Sequence, residues 1–295
     1  MPLKRLAAVR ISAAVVVAIC IFAGSRPSAA QLPLEPGRES GQSVTAAYEG
    51  WYPNSDGTYS LLVGYYNRNH TEMLDIPIGR NNRIEPGGPD QGQPTHFLPR
   101  RQWGVFIIIV PADFRDKKLT WTLVAHNKTT EIPMGLATLW EVSPLKDMAQ
   151  GNTPPVLRFD SGSTQQGPPH EISQSLDATV AEPTMLRAWA SDDGLVDAYR
   201  RSRASDPPVN VTWSKFRGPG DVAFSETKPH VDPSDGKVTT TATFTTPGEY
   251  ILRLQANDVS REGGGGAQCC WTNAHVKVSV KPSVAADKRT QATQP

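Results

Sequence analysis

Short runs in which apolar and polar residues alternate, separated by turn residues at nearly regular intervals, fill the chain from Val209 to Val280. Side chains of a strand point to opposite faces with period two, so each such run predicts a strand with one buried face. In Val211-Thr212-Trp213-Ser214-Lys215 the first, third and fifth residues share a side, which makes Trp213 the expected core anchor. Arg217-Gly218-Pro219-Gly220 reads as a turn, after which Val222 and Phe224 resume the alternation. Val238, Thr240, Ala242 and Phe244 form the face of the next strand, and Pro247-Gly248 leads into Tyr250, Leu252, Leu254 and Ala256. Val276, Val278 and Val280 close the series. Many short strands with no sustained helical period predict an all-β sandwich.

A second unit precedes it. Tyr48, Trp51, Tyr52 and Tyr59 bracket Pro53-Asn54-Ser55-Asp56-Gly57, where Asp-Gly between aromatic β-prone runs predicts a hairpin. Further strands are expected over residues 59–67, 73–78, 103–110, 119–126 and 136–142, and a long loop over 83–99. Residues 103–110 (WGVFIIIV) are nearly all apolar, which calls for burial on both faces or for one face against a neighbour.

The order Ala190-Ser191-Asp192-Asp193-Gly194-Leu195, Val211-Thr212-Trp213 with Gly218-Pro219-Gly220, Ala242-Thr243-Phe244 with Pro247-Gly248-Glu249-Tyr250, and finally Asp258, resembles the PKD-like branch of immunoglobulin-like domains in exported bacterial proteins. The resemblance implies a Greek-key sandwich and a spacer, adhesion or protein-contact role. Two features depart from it: residues 197–208 lengthen one loop, and residues 263–270 replace a short polar turn. In the first unit, Tyr65-Tyr66-Asn67-Arg68-Asn69 and Trp121-Thr122-Leu123 give a looser likeness to uncharacterised exported β-sandwich regions, which carries no activity with it.

The chain begins with Lys4, Arg5 and Arg10, an apolar run from Ile11 to Ala23, and the small residues Ser28-Ala29-Ala30, the layout of a cleaved export signal. The apolar run is shorter than a comfortable membrane span, though an uncleaved anchor is the other reading. Ile19 stands where a lipobox wants Gly or Ala, which leaves Cys20 as part of the signal. Removing residues 1–30 takes Lys4, Arg5, Arg10 and Arg26 from the 30 basic residues and none of the 29 acidic ones, leaving 26 against 29 and a net charge of −3. A mildly acidic chain has no electrostatic case for nucleic acid or an anionic membrane. The organisation expected is a signal over 1–30, a flexible leader over 31–42, an N-terminal sandwich over 43–145, a linker over 146–155, a PKD-like sandwich over 156–282 and a disordered tail over 283–295. The fold class is therefore all-β, two consecutive immunoglobulin-like sandwiches behind an export signal.

Three groups of residues are candidates for chemistry. Cys269 and Cys270 are adjacent, and in an oxidising compartment they form a vicinal disulfide, stay as two thiols or pair between molecules. Asp192, Asp193 and Asp258 could donate oxygens to calcium, against the plainer reading of Asx turns and a bend at a strand end. Tyr48, Trp51, Tyr52 and Tyr59 could stack on sugar rings or anchor a protein partner, and three coplanar rings in solvent would favour the sugar; the plainer reading is that half of them fill the core. The histidines at 70, 96, 126, 170, 230 and 275 lie singly, with no nucleophile elbow, zinc-protease motif or phosphate-binding loop. The expectation is a non-enzymatic, exported structural or protein-interaction module, periplasmic or extracellular, needing no cofactor and meeting a protein or glycan at the cell envelope; a carbohydrate-binding module is the alternative.

Overall fold

The computed structural model describes residues 38–148, 151–195, 209–258 and 270–283. Among them the chain is all strand and turn, with one 3-10 turn at Thr138–Trp140. The first half holds β1 (Val44–Pro53), β2 (Tyr59–Asn67), β3 (Leu74–Asp75), β4 (Asn82–Glu85), β5 (His96–Phe97), β6 (Arg100–Val110), β7 (Leu119–Ala125) and β8 (Lys128–Met134). Two antiparallel sheets, ordered β1-β2-β6 and β4-β7-β8, face each other, and the short β3-β5 pair lies beside them. Between them Val63, Phe97, Phe106, Trp121 and Leu123 are buried in one cluster.

The second half holds β9 (Val156–Arg158), β10 (Thr164–Gln166), β11 (Ile172–Thr179), β12 (Thr184–Ser191), β13 (Val209–Arg217), β14 (Val222–Phe224), β15 (Lys237–Phe244), β16 (Gly248–Asp258) and β17 (Trp271–Lys281). One sheet is ordered β10-β9-β12-β15-β14 and the other β11-β17-β16-β13, with β11 parallel to β17. Trp213, Phe244, Tyr250, Leu252, Leu254, Val276 and Val278 fill the space between, as the alternation requires. The hairpin at Asp56-Gly57 forms as expected: the Asn54 amide donates to the Thr58 carbonyl at 2.9 Å, and Gly57 takes a φ of 84°.

Several local expectations change. The 136–142 stretch is not a strand. Tyr48 Oη donates to the Gly135 carbonyl and Trp51 Nε1 to the Ala137 carbonyl, which holds the chain across the end of β1, and only the Val142 amide reaches the Trp51 carbonyl as a strand neighbour would. Of residues 73–78 only Leu74–Asp75 is strand. The 83–99 loop contains β5 and most of β4, because Asn82, fully buried, donates from Nδ2 to the Ile76 and Pro94 carbonyls and accepts from Trp121 Nε1. Ahead of Ser43, the carbonyls of Arg38 and Glu39 accept from the amides of His70, Thr71 and Glu72, so these leader residues are tied to the first half. In the expected linker, Asn152 is buried and donates to Asp258 Oδ2 at 2.7 Å. The signal at 1–30 lies outside the described residues.

Candidate functional site

The four aromatic candidates do not make a flat platform. Tyr52 is 5% exposed, and its hydroxyl lies 3.3 Å from His170 Nε2; burial pushes its pKa up to about 12. Trp51 and Tyr59 meet edge to face, 5.4 Å apart at 84°. Tyr48 tilts 33° against Trp140, a ring the sequence reading did not single out. The hydroxyl of Tyr48 and the indole N–H of Trp51 are used on main-chain carbonyls, so both side chains serve to hold the 135–142 crossing in place. The β1 alternation explains this: a bulge at Glu49 between Tyr48 and Gly50 shifts the phase, so aromatics from both faces turn toward protein.

Asp192, Asp193 and Asp258 do come together. Asp192 Oδ2 accepts from the Gly194 amide, and Asp193 accepts from the Leu195 amide and from both the amide and hydroxyl of Thr153. The bonds from Gly194 and Leu195 are Asx-turn bonds, the plainer sequence reading for Asp192 and Asp193, while Thr153 reaches Asp193 from 40 residues away. Burial, then the charges of Asp258 and Asp193, push the Asp192 pKa up to about 6. Among the described residues no group of three or more His, Cys, Asp or Glu side chains is placed to hold a metal ion. Cys270 is disulfide-bonded and buried, while Cys269 lies outside the described residues.

The densest polar chemistry is at a place the sequence reading did not flag, the seam between the two halves. The outward face of β16 and β17 carries Arg253, Gln255, Trp271, Asn273 and His275, all opposite in phase to the aliphatic core face. Arg253, Trp271, Asn273 and His275 pack on the start of β6. Asn273 Nδ2 donates to the carbonyls of Trp103 and Gly104 at 3.1 and 3.0 Å, His275 Nε2 lies 3.1 Å from the Val105 carbonyl, and Arg253 Nη2 donates to Gln102 Oε1 at 2.5 Å. The Trp271 indole lies directly against Gly104, where an added Cβ would sit 1.9 Å from the ring. Glu49, at the β1 bulge, holds this turn from the other side: one oxygen accepts from the Gly104 amide at 2.9 Å and the other pairs with Arg101 at 2.7 Å.

A second strip of the seam is ionic. Lys215, whose side chain is 7% exposed, reaches Asp75 at 2.9 Å, and His96 approaches the same carboxyl at 3.0 Å. Burial pushes the Asp75 pKa up, but the hydrogen bonds from His96 and Lys215 outweigh it and hold the carboxyl at about 2. Arg217 forms two bonds to Asp90, at 2.7 and 3.0 Å, and a third to the Gln93 carbonyl. Phe216 between them is buried within the core of the first half, 4.3 Å from the His275 ring, and its carbonyl accepts from the Thr95 amide. Polar residues in the out-of-core phase of two adjacent strands were the available signal, since buried polar groups require partners.

Among the described residues no helix is long and apolar enough to cross a membrane. No protein-family profile matches the chain, and no curated protein matches it in sequence. Among solved structures it is similar to a domain of intimin (12% identity, covering 81% of this chain and 100% of that one, TM-score 0.26), to domains 4 and 5 of the S-layer protein SbsC (12%, 81% and 98%, TM-score 0.24) and to titin Ig tandem domains (10%, 82% and 100%, TM-score 0.23). These superpositions are weak, and the all-β sandwich assignment rests on the strand order and register above.

Proposed function

We propose that this chain is an exported, non-catalytic structural or protein-contact module whose second half belongs to the PKD-like branch, and that it works as a stiff two-sandwich spacer in the periplasm or outside the cell. The observation that supports it most is the seam: Trp271 seated on Gly104 and three backbone carbonyls of β6 met by Asn273 and His275. A hinge between independent domains leaves such surfaces polar and wet, whereas a buried, hydrogen-bonded contact favours a fixed angle. The tilted and edge-to-face arrangement of Tyr48, Trp51 and Tyr59 and the burial of Tyr52 favour the protein-contact reading over the carbohydrate one.

Residual dipolar couplings from the two halves test stiffness, and fractionation of the producing cell tests export. One shared alignment tensor and a chain recovered outside the cytoplasm are expected. Two independent tensors, or retention in the cytoplasm, would overturn the proposal.

A further inference from the structure

At the open side of the first sandwich, the edge strands β1 and β8 border a cleft of about 790 Å³. Its floor is apolar: Ala47 and Tyr48 from β1, Met134 from β8, then Leu136 and Trp140 from the crossing that follows. This volume lies within the range, about 300–1,000 Å³, of sites that enclose a small ligand or an anchoring side chain. The rim is cationic. Arg115 and Lys118 line the mouth with no ion-pair partner among the described residues, and Lys117 has only the exposed Asp113, 3.2 Å away. Beside the mouth, Leu139 is 98% and Trp140 49% exposed. Large apolar side chains held in solvent next to an apolar cleft mark a contact surface rather than an ordinary one.

We infer that this cleft binds an extended peptide segment of a partner protein, an apolar side chain packing against the Tyr48–Trp140 pair while a neighbouring acidic residue meets Arg115 and Lys118. The inference rests on the protein-contact reading and adds the site and the chemistry of its partner. Charge complementarity selects the acidic flank, since the only carboxylate lining the cleft is that of Asp116. The edge of β8, which pairs only with β7, selects an extended segment, because edge strands are where such a segment lies alongside a sandwich; β1 is already met at Trp51 by the Val142 amide. Trp140 supplies the kind of half-exposed ring that dominates such contacts.

The probe is a random-peptide library displayed on phage, selected against the full chain, with the selected peptides then titrated as synthetic segments. Sequences with Leu, Phe or Trp close to Asp or Glu are expected. Trp140→Ala should weaken them by about tenfold or more, the scale of a truncated hot spot. The double variant Arg115→Glu with Lys118→Glu should weaken them by roughly tenfold at low salt, and by less as salt is added. All three positions are exposed or half-exposed, so circular dichroism should stay that of the parent. Dodecanoate serves as the competing small ligand. No enrichment, a basic consensus, affinity unchanged in both variants, or binding of dodecanoate without any peptide would each overturn the inference. A chain that is stiff and exported yet takes no peptide would remove this inference alone and leave the spacer reading standing.

Discussion

Gly104 is where single-residue chemistry decides most. Its φ of 46° is costly for a residue with a Cβ, and the space that atom would need is occupied by Trp271. Gly104→Ala is therefore expected to destabilise the chain by about 3 kcal/mol, from strain and overpacking together, as read by chemical denaturation. His275 sets a pH dependence. Burial, followed by the charge of Arg253, lowers its pKa from 6.5 to about 3. The unfolded chain therefore takes up a proton between these values that the folded chain refuses, so stability is full above pH 6.5 and falls as the pH drops toward 3. Asp75 adds a loss of the same sign at lower pH, as its carboxyl is protonated first in the unfolded chain and only near 2 in the folded one. Denaturation midpoints across this range should slope downward with acid, and His275→Gln should flatten the upper part of the slope. Neither role is readable in the sequence, where Gly104 is one residue of a nearly all-apolar run and His275 an isolated histidine.

At the scale of elements, the strands differ in what they bury. β2 lies between β1 and β6, and β16 and β17 are central in their sheet with one face in the core and the other largely in the seam. β10 and β14 are three-residue edges. Local opening follows buried area and paired backbone, so amide exchange should be slowest in β2, β16 and β17 and fastest in β10 and β14. Fast exchange along β17 would contradict the packing described. Strand existence was legible wherever one face is buried and the other wet, as in β13, β15 and β16. It failed at 136–142, where an apolar stretch that alternates well enough on paper is held out of the sheet by the Tyr48 and Trp51 side chains. It also failed around β4 and β5, short strands in a Gly- and Pro-rich stretch whose pairing depends on the buried amide of Asn82.

The two sandwiches share more than a connection. Phe216 belongs to the core of the first half, Ile251 packs against it, and Trp271 joins Tyr52 and Leu62 in a smaller cluster with Trp103 and Ile107. A segment comprising residues 43–145 alone would expose the apolar side chains that these residues cover. It is expected to lack the dispersed amide spectrum of a folded domain, and the full chain to unfold in one transition. A well-dispersed spectrum from that segment, or two separate transitions in the full chain, would show the halves to be independent.

The alternation of apolar and polar positions was enough to determine an all-β chain with two layered cores and Trp213 inside the second, because a strand's period is local and its buried face must be apolar. The same period shows that residues 253, 255, 273 and 275 face away from that core, but not what lies opposite them. Only the tertiary structure decided that: a buried polar side chain depends on whatever partner the fold delivers, and here Asn273 and His275 meet main-chain carbonyls of β6, about 170 residues earlier in the chain, while Arg253 meets the Gln102 side chain. The cleft between β1 and β8 is likewise a product of assembly, since its walls come from strands whose separate patterns record burial but not the gap left between them.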